Sequence, residues 1–266
     1  MNKSIIKQLF RSNLFIIGLF TAILLMYQLI LIFMYTPSFI DKMTDMAGGM
    51  GSMGNIYGMN KLPKGFTGYF AQFYFGTIIP MFTLVYNIIV GNKIIAGRVD
   101  KGSMSCLLAT PNTRNTISIS SGIFFLLSNA VIVIINTVIG YICCLSYKEA
   151  DISLKHILIL TVGALIMTWA ISSICYFFSC MFNESKNSLA FGAGIPILFF
   201  LFYMLKDFGE KLEVFKKFTI FSLFMPDKIA NNDYSPYLIG FGVLAAITVV
   251  LYVAGVRIFN KKDIPV

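Results

Sequence analysis

The sequence predicts an all-α integral membrane fold with six transmembrane helices, an N-terminal interfacial helix and a cytoplasmic helix between spans two and three. Three observations carry this. Six apolar runs are each long enough to cross a bilayer, because a hydrocarbon core of ~30 Å needs about 20 residues. Charge is sparse: Asp, Glu, Lys and Arg make up 12% of the 266 residues while 57% are hydrophobic, against about 25% charged in a soluble domain. The Lys and Arg residues stand in the gaps between the runs or at their ends. So little charge cannot cover a water-facing surface. The net charge of +9 therefore reads as topology and contact with anionic lipid headgroups, not as nucleic-acid binding.

The expected spans are Asn13–Tyr35, Thr67–Val90, Ser121–Tyr147, His156–Phe182, Ser188–Leu205 and Tyr237–Phe259, within one membrane domain over residues 1–266. No Asp, Glu, Lys or Arg lies inside the first five; Arg257 is near the end of the sixth, where it can reach the interface. The first run is too long for a signal-peptide apolar region and no A-x-A site follows, so it reads as an uncleaved span. Pro80 and Pro196 interrupt two spans and are expected to kink or break them.

The gaps differ in character. Before the first span, Lys3, Lys7 and Arg11 stand at i, i+4, i+8 with Ile5, Ile6, Leu9 and Phe10 elsewhere, the pattern of a helix lying on the inner leaflet. Residues 36–66 are rich in Gly and Met, and residues 91–120 are basic. Residues 148–155 and 183–187 are tight connections, and residues 206–236 are long with mixed charge. Six spans put both termini on one side. Lys and Arg divide 11 to 10 between the terminal side and the other, nearly a tie. The acid-free first flank, the basic 91–120 loop and the nine of twelve acidic residues on the opposite side favour cytoplasmic termini.

Enzyme chemistry finds no foothold in this sequence. It contains no GxxxxGK[ST] phosphate loop, no HExxH and no Ser/His/Asp set. Its one histidine, His156, sits at a span boundary and reads as structural. Cys106, Cys143, Cys144, Cys175 and Cys180 have no metal-binding or CxxC spacing and read as small packing residues. The spans offer only neutral polar groups: Gln28, Gln72, Asn87, Ser128, Asn129, Asn136, Ser172 and Ser173. Hydrogen bonds between helices are the plain reading of these; a weakly polar translocation path is the sharper one. Ion-coupled carriers usually need ionisable groups in the bilayer, so an energy source outside this chain is expected if it transports.

The most informative stretch is residues 97–114. Asp100 and Lys101 stand ahead of a short helix carrying Met104, Leu107 and Leu108, which Pro111 ends by pushing Thr110 out of the helical region. Such a helix is either a plain interfacial anchor or a lever that enters a groove on a soluble partner.

This loop resembles the cytoplasmic loop of ABC-2-type ABC transporter permeases. That pattern is an acid, Gly-Thr, Leu-Leu, a small residue, Pro and a base; here it appears as Asp100, Gly102-Ser103, Leu107-Leu108, Pro111 and Arg114. Asp replaces the usual Glu, and Ser103 the usual Thr. The layout of basic N-terminal helix, six spans, long segment before the last span and short polar tail from Asn260 is similar too. The resemblance implies a permease without its own ATPase, paired with a second copy or a related permease. Each permease would bind a separate nucleotide-binding ATPase that carries the ATP and Mg. It implies that Asp100, Gly102, Met104, Leu107, Leu108, Pro111 and Arg114 form the ATPase-coupling helix, with Lys3, Lys7 and Arg11 along the inner leaflet beside it. No cofactor or metal is expected in this chain.

Two outer segments are candidate cargo contacts. Met43, Met46, Met50 and Met53 follow a helical 3, 4, 3 spacing that nearby glycines weaken. They suit a plastic apolar surface; Cu(I) capture is the third reading, but no Cys or His stands nearby to anchor it. Phe208, Leu212 and Phe215 form the apolar face of an amphipathic helix at the outer leaflet. Aromatic-rich spans without fixed charge suit an amphipathic or hydrophobic cargo, such as a peptide, an antimicrobial compound or a lipid-like molecule. The competing readings are a membrane scaffold or assembly protein that transports nothing, and an ion-coupled carrier.

Overall fold

A computed structural model describes residues 2–36, 38, 65–109, 113–147, 149–205, 219–230 and 235–263. Among the described residues every regular element is helical, and six helical segments are long and apolar enough to cross a membrane. The Met43–Met53 stripe, Pro111 and the Phe208–Phe215 face lie outside the described residues.

The first helix, α1 (Lys3–Met34), runs unbroken for 32 residues, about 48 Å at 1.5 Å per residue. The sequence predicts an interfacial helix separate from the first span; the structure joins them. Nothing between Lys3 and Leu14 breaks a helix. Ile5, Leu9 and Asn13 form a buried stripe, and Phe10 meets Phe124 edge-on at 4.9 Å. The backbone N–H of Asn2 donates to Ser120 Oγ at 3.2 Å. Packing on the third span thus carries the helix straight through the basic segment.

The second span changes helical type along its length. A short α2 (Phe66–Phe70) leads into a π-helical stretch, Ala71–Ile78, before α3 (Ile79–Ile94) resumes ordinary geometry. Pro80 accounts for this. It has no N–H for the Gly76 carbonyl, and in a tight α-turn its ring would press on that carbonyl. The wider turn relieves this, with the Ile79 N–H donating to the Tyr74 carbonyl. Phe66, Phe70 and Tyr74 stack at 5.3 and 5.0 Å and are buried.

Beyond α3 come α4 (Ala96–Asp100), α5 (Ser103–Leu108) and the long α6 (Arg114–Ser146). α6 starts at Thr113, whose hydroxyl accepts from the Thr116 N–H at 3.2 Å. Ser153 caps α7 (Leu154–Met181) in the same way, and its hydroxyl also bonds His156 Nδ1 at 2.7 Å. α8 (Ser185–Leu205), a 3-10 turn (Ile220–Leu223), α9 (Pro226–Ala230) and α10 (Ser235–Lys261) complete the described chain.

α7 is the axis of the bundle. It packs against α10, α3, α8 and α6, while α1 lies along α6. Small residues allow close approach: a side chain at Gly91 would meet Cys175, and one at Gly255 would meet Tyr176. The opposite faces stay apolar and outward, with Phe15 81% and Ile239 72% exposed, as a lipid-facing surface requires.

Most of the intramembrane polar side chains named above serve as glue within the chain, whereas Gln72 Oε1 is buried without a hydrogen-bond partner. Tyr74 Oη donates towards Gln28 Oε1 and Asn136 Oδ1, both at 3.3 Å, joining three spans. Asn129 Nδ2 donates to Asn87 Oδ1 at 2.9 Å and Asn87 Nδ2 to the Thr168 carbonyl at 3.3 Å. Ser172 and Tyr252 share a hydrogen bond of 2.9 Å, whereas Ser128 and Ser173 bond carbonyls of their own helices. Gly140 has no room for a Cβ because Gln28 lies against it.

Pro196 does not end α8, which runs through it. The missing N–H frees the Gly192 carbonyl, and the Cys175 thiol donates to that oxygen at 3.3 Å. A buried thiol from α7 thus replaces the absent helical bond. Cys175→Ala should cost about 1 kcal/mol by leaving a buried acceptor unpaired. Pro196→Ala restores the N–H and should remove most of that penalty. Thermal unfolding of the two single variants and the double variant checks the coupling; additive losses would contradict it.

Candidate coupling site

At the end of the bundle where Asn2 and Asp263 lie, α3 stops at Ile94 and the chain turns at Ile95, with φ −128° and ψ −70°. That break leaves the N–H of Ala96, the first residue of α4, without a helical acceptor. Ser179 on α7 fills the gap: its hydroxyl accepts from Ala96 at 3.0 Å. Ile94, Ile95, Ala96 and Ser179 are all buried. The root of the 96–108 segment is therefore fixed to the last turns of the central helix.

From this root the segment reaches outward. Asp100 and Lys101 are exposed. Gly102 reverses the chain in the left-handed region, at φ 68° and ψ −3°, a conformation glycine adopts without steric cost. The Gly102 N–H donates to the Val99 carbonyl at 3.0 Å and Ser103 Oγ to the Arg98 carbonyl at 3.2 Å, which tightens the reversal. α5 then returns toward the bundle. Met104 is 1% exposed, Leu107 and Leu108 are half-buried against the core, and Cys106 is exposed.

Six of the seven residues expected in the coupling helix are described, and they fall into groups. Asp100 and Gly102 stand at the exposed tip. Met104, Leu107 and Leu108 are turned inward to different degrees, because the Gly102 reversal folds α5 back under the tip. Arg114 lies at the start of α6, where its Nη1 donates to the Lys262 carbonyl at 2.9 Å. On α1, Lys3, Lys7 and Arg11 share an exposed face. Lys93 Nζ reaches the Ser12 carbonyl at 3.3 Å and ties this part of α1 to the end of α3.

Several contributors were missed at the level of sequence. Ser179, Lys93 and Lys262 look like ordinary polar residues at the ends of apolar runs, and only their partners give them a role. Lys262 Nζ donates to the Cys180 carbonyl at 3.2 Å, and partial burial lowers its ammonium to about 8. Asn92 Nδ2 donates to Ser185 Oγ at 2.6 Å, holding the start of α8 beside the same root.

A family model described as ABC-2 family transporter protein matches residues 6–264. No curated protein matches the chain.

Two substitutions separate root from tip. Ser179→Ala leaves the buried Ala96 N–H unpaired and should cost about 1–3 kcal/mol, seen as a lower melting temperature. Gly102→Ala meets no neighbouring atom, so its cost is backbone strain alone, roughly 1–2 kcal/mol. Gly102→Asn, which tolerates the left-handed region better, should lose less than Gly102→Ala in the same melting experiment.

Proposed function

Because this chain belongs to the ABC-2 family of transporter proteins and is a multi-pass permease subunit that works with an ATP-binding partner, we propose that residues 96–108 are where that partner docks and drives it. The observation that carries the reading is the hinge-like construction of this segment. Its root is pinned to α7 through Ser179, and its tip, Asp100 to Ser103 with Cys106, is free to meet another protein. A separate ATPase carrying ATP and Mg pushes on this tip. Asp100 and Lys101 make the polar contact, Gly102 sets the reversal, and Met104, Leu107 and Leu108 pass the displacement inward to the bundle. Arg114, at the start of α6, holds the far end of the segment, and Pro111 is assigned to the same docking region by its place in the motif alone.

In this reading the termini and the 96–108 tip face the cytoplasm, and the basic face of Lys3, Lys7 and Arg11 lies at the inner leaflet. The permease pairs with a second copy or a related chain. It exports an amphipathic or hydrophobic cargo: a peptide, an antimicrobial compound or a lipid-like molecule. The buried amides and hydroxyls support an apolar cargo, because they are spent largely on bonds within the chain. What the outer faces offer is aliphatic and aromatic. Met43, Met46, Met50 and Met53, together with Phe208, Leu212 and Phe215, remain the proposed outer contacts for cargo.

The tip is tested by charge reversal. Asp100→Lys should cut the amount of ATPase that co-purifies with the permease at least tenfold while membrane insertion is unchanged. Undiminished co-purification would reject the docking assignment. Orientation has its own test, because Cys106 is exposed and Cys144, Cys175 and Cys180 are buried. A membrane-impermeant maleimide should label Cys106 in inverted vesicles and leave it unlabelled in intact cells, with Cys106→Ser as control. Labelling in intact cells would place the tip outside.

A further inference from the structure

Residues 260–263, at and just beyond the end of α10, are bonded to three separate parts of the bundle end. Arg114 Nη1 donates to the Lys262 carbonyl at 2.9 Å, and Asn260 Nδ2 donates to Asn115 Oδ1 at 3.1 Å; both partners are in the first turn of α6. Lys262 Nζ donates to the Cys180 carbonyl in the last turn of α7 at 3.2 Å. Asn183 Nδ2, in the α7–α8 turn, donates to the Asp263 carbonyl at 3.3 Å. Phe259, fully buried, anchors the segment from above.

The chemistry at each partner is specific. Cys180 carries one of the last four carbonyls of α7, which lack helical donors. A cation at a helix C-terminus also opposes the dipole there. Arg114 is a cation at a helix N-terminus, the unfavourable end; its bond to a tail carbonyl compensates. Arg114 and Asn115 begin the helix that follows the 96–108 segment, so they form its downstream root. The upstream root, Ala96, is held by Ser179, one residue before Cys180 on α7. Both roots therefore refer to a single turn of α7, the first directly and the second through the tail.

We propose that residues 260–263 are a latch that positions the downstream root of the coupling segment. With the latch closed, a push on α4 and α5 reaches α6, α7 and α10 as one body. With it open, the push is absorbed at Thr113–Arg114. Lys262 and Asn260 are positioning residues. The structural part of the proposal stands on the four bonds; its consequence for coupling rests on the docking site proposed above.

Hydrogen–deuterium exchange on the purified full chain tests the latch without any partner. Removing residues 262–266 should speed exchange at the amides of Ile117–Ser121 at least fivefold and leave the middle of α6, around Asn129, unchanged. Lys262→Gln should move the same amides in the same direction, and Lys262→Arg, which can still donate to the Cys180 carbonyl, should restore protection. Unaltered exchange at Ile117–Ser121 after truncation would overturn the proposal, and so would an increase spread evenly over all six spans. In the complex with its ATPase, the truncated chain should retain the ATPase yet lose cargo-dependent stimulation at least fivefold; full stimulation would overturn the coupling role. Failure of the docking reading shows differently, as absence of ATPase from the unmodified preparation, and leaves the exchange result to decide the latch.

Discussion

The whole structure answers to one constraint: inside a bilayer no water is present to bond a stray peptide N–H or C=O. Continuous helices meet it along most of the chain. The instructive places are those where a helix cannot. Pro80 forces a wider turn, and the chain supplies eight residues of π-helix to provide it. Pro196 frees the Gly192 carbonyl, and Cys175 covers it. The break at Ile95 frees the Ala96 N–H, and Ser179 covers that. The first irregularity is relieved within its own span, and the other two are permitted because α7 brings a donor or an acceptor to them.

This gives α7 two roles that share one cause. Being central, it is the helix whose side chains can reach the defects of its neighbours. Its last turns, Cys175 to Cys180, therefore hold the bend at the end of α3, the proline-bearing α8 and the tail of α10. The same region positions both ends of the loop that faces the partner ATPase in our reading. A displacement of that loop is delivered to the helix that touches the most other helices. The intramembrane amides follow the same logic: Gln28, Tyr74 and Asn136 cross-link three spans, and Asn87 and Asn129 bind α3 to α6 and α7. A hydrogen bond in lipid stabilises because the alternative is an unpaired polar group.

How the loop is read also changes with the structure. A helix with Met104, Leu107 and Leu108 on it looks like an apolar plug for a partner's groove. Folded, it presents Asp100, Lys101, Ser103 and Cys106 and withdraws Met104. The left-handed turn at Gly102 makes this difference, because it reverses the chain and aims the first turn of α5 at the bundle.

The sequence alone determined that the chain is helical, spans a membrane six times and belongs with the ABC-2 permeases. Those properties depend on run length, missing charge and a short local motif, all of which are written along the chain. It also placed Lys3, Lys7 and Arg11 on one face, since helical period suffices for that. It could not say that the basic segment and the first span are one helix, because burial of Ile5 and Leu9 against α6 decides it. Nor could it pair Cys175 with Gly192, Ser179 with Ala96, or Arg114 with the Lys262 carbonyl. Those partners are 17, 83 and 148 residues apart, and which side chain reaches which backbone defect is set only when the helices pack.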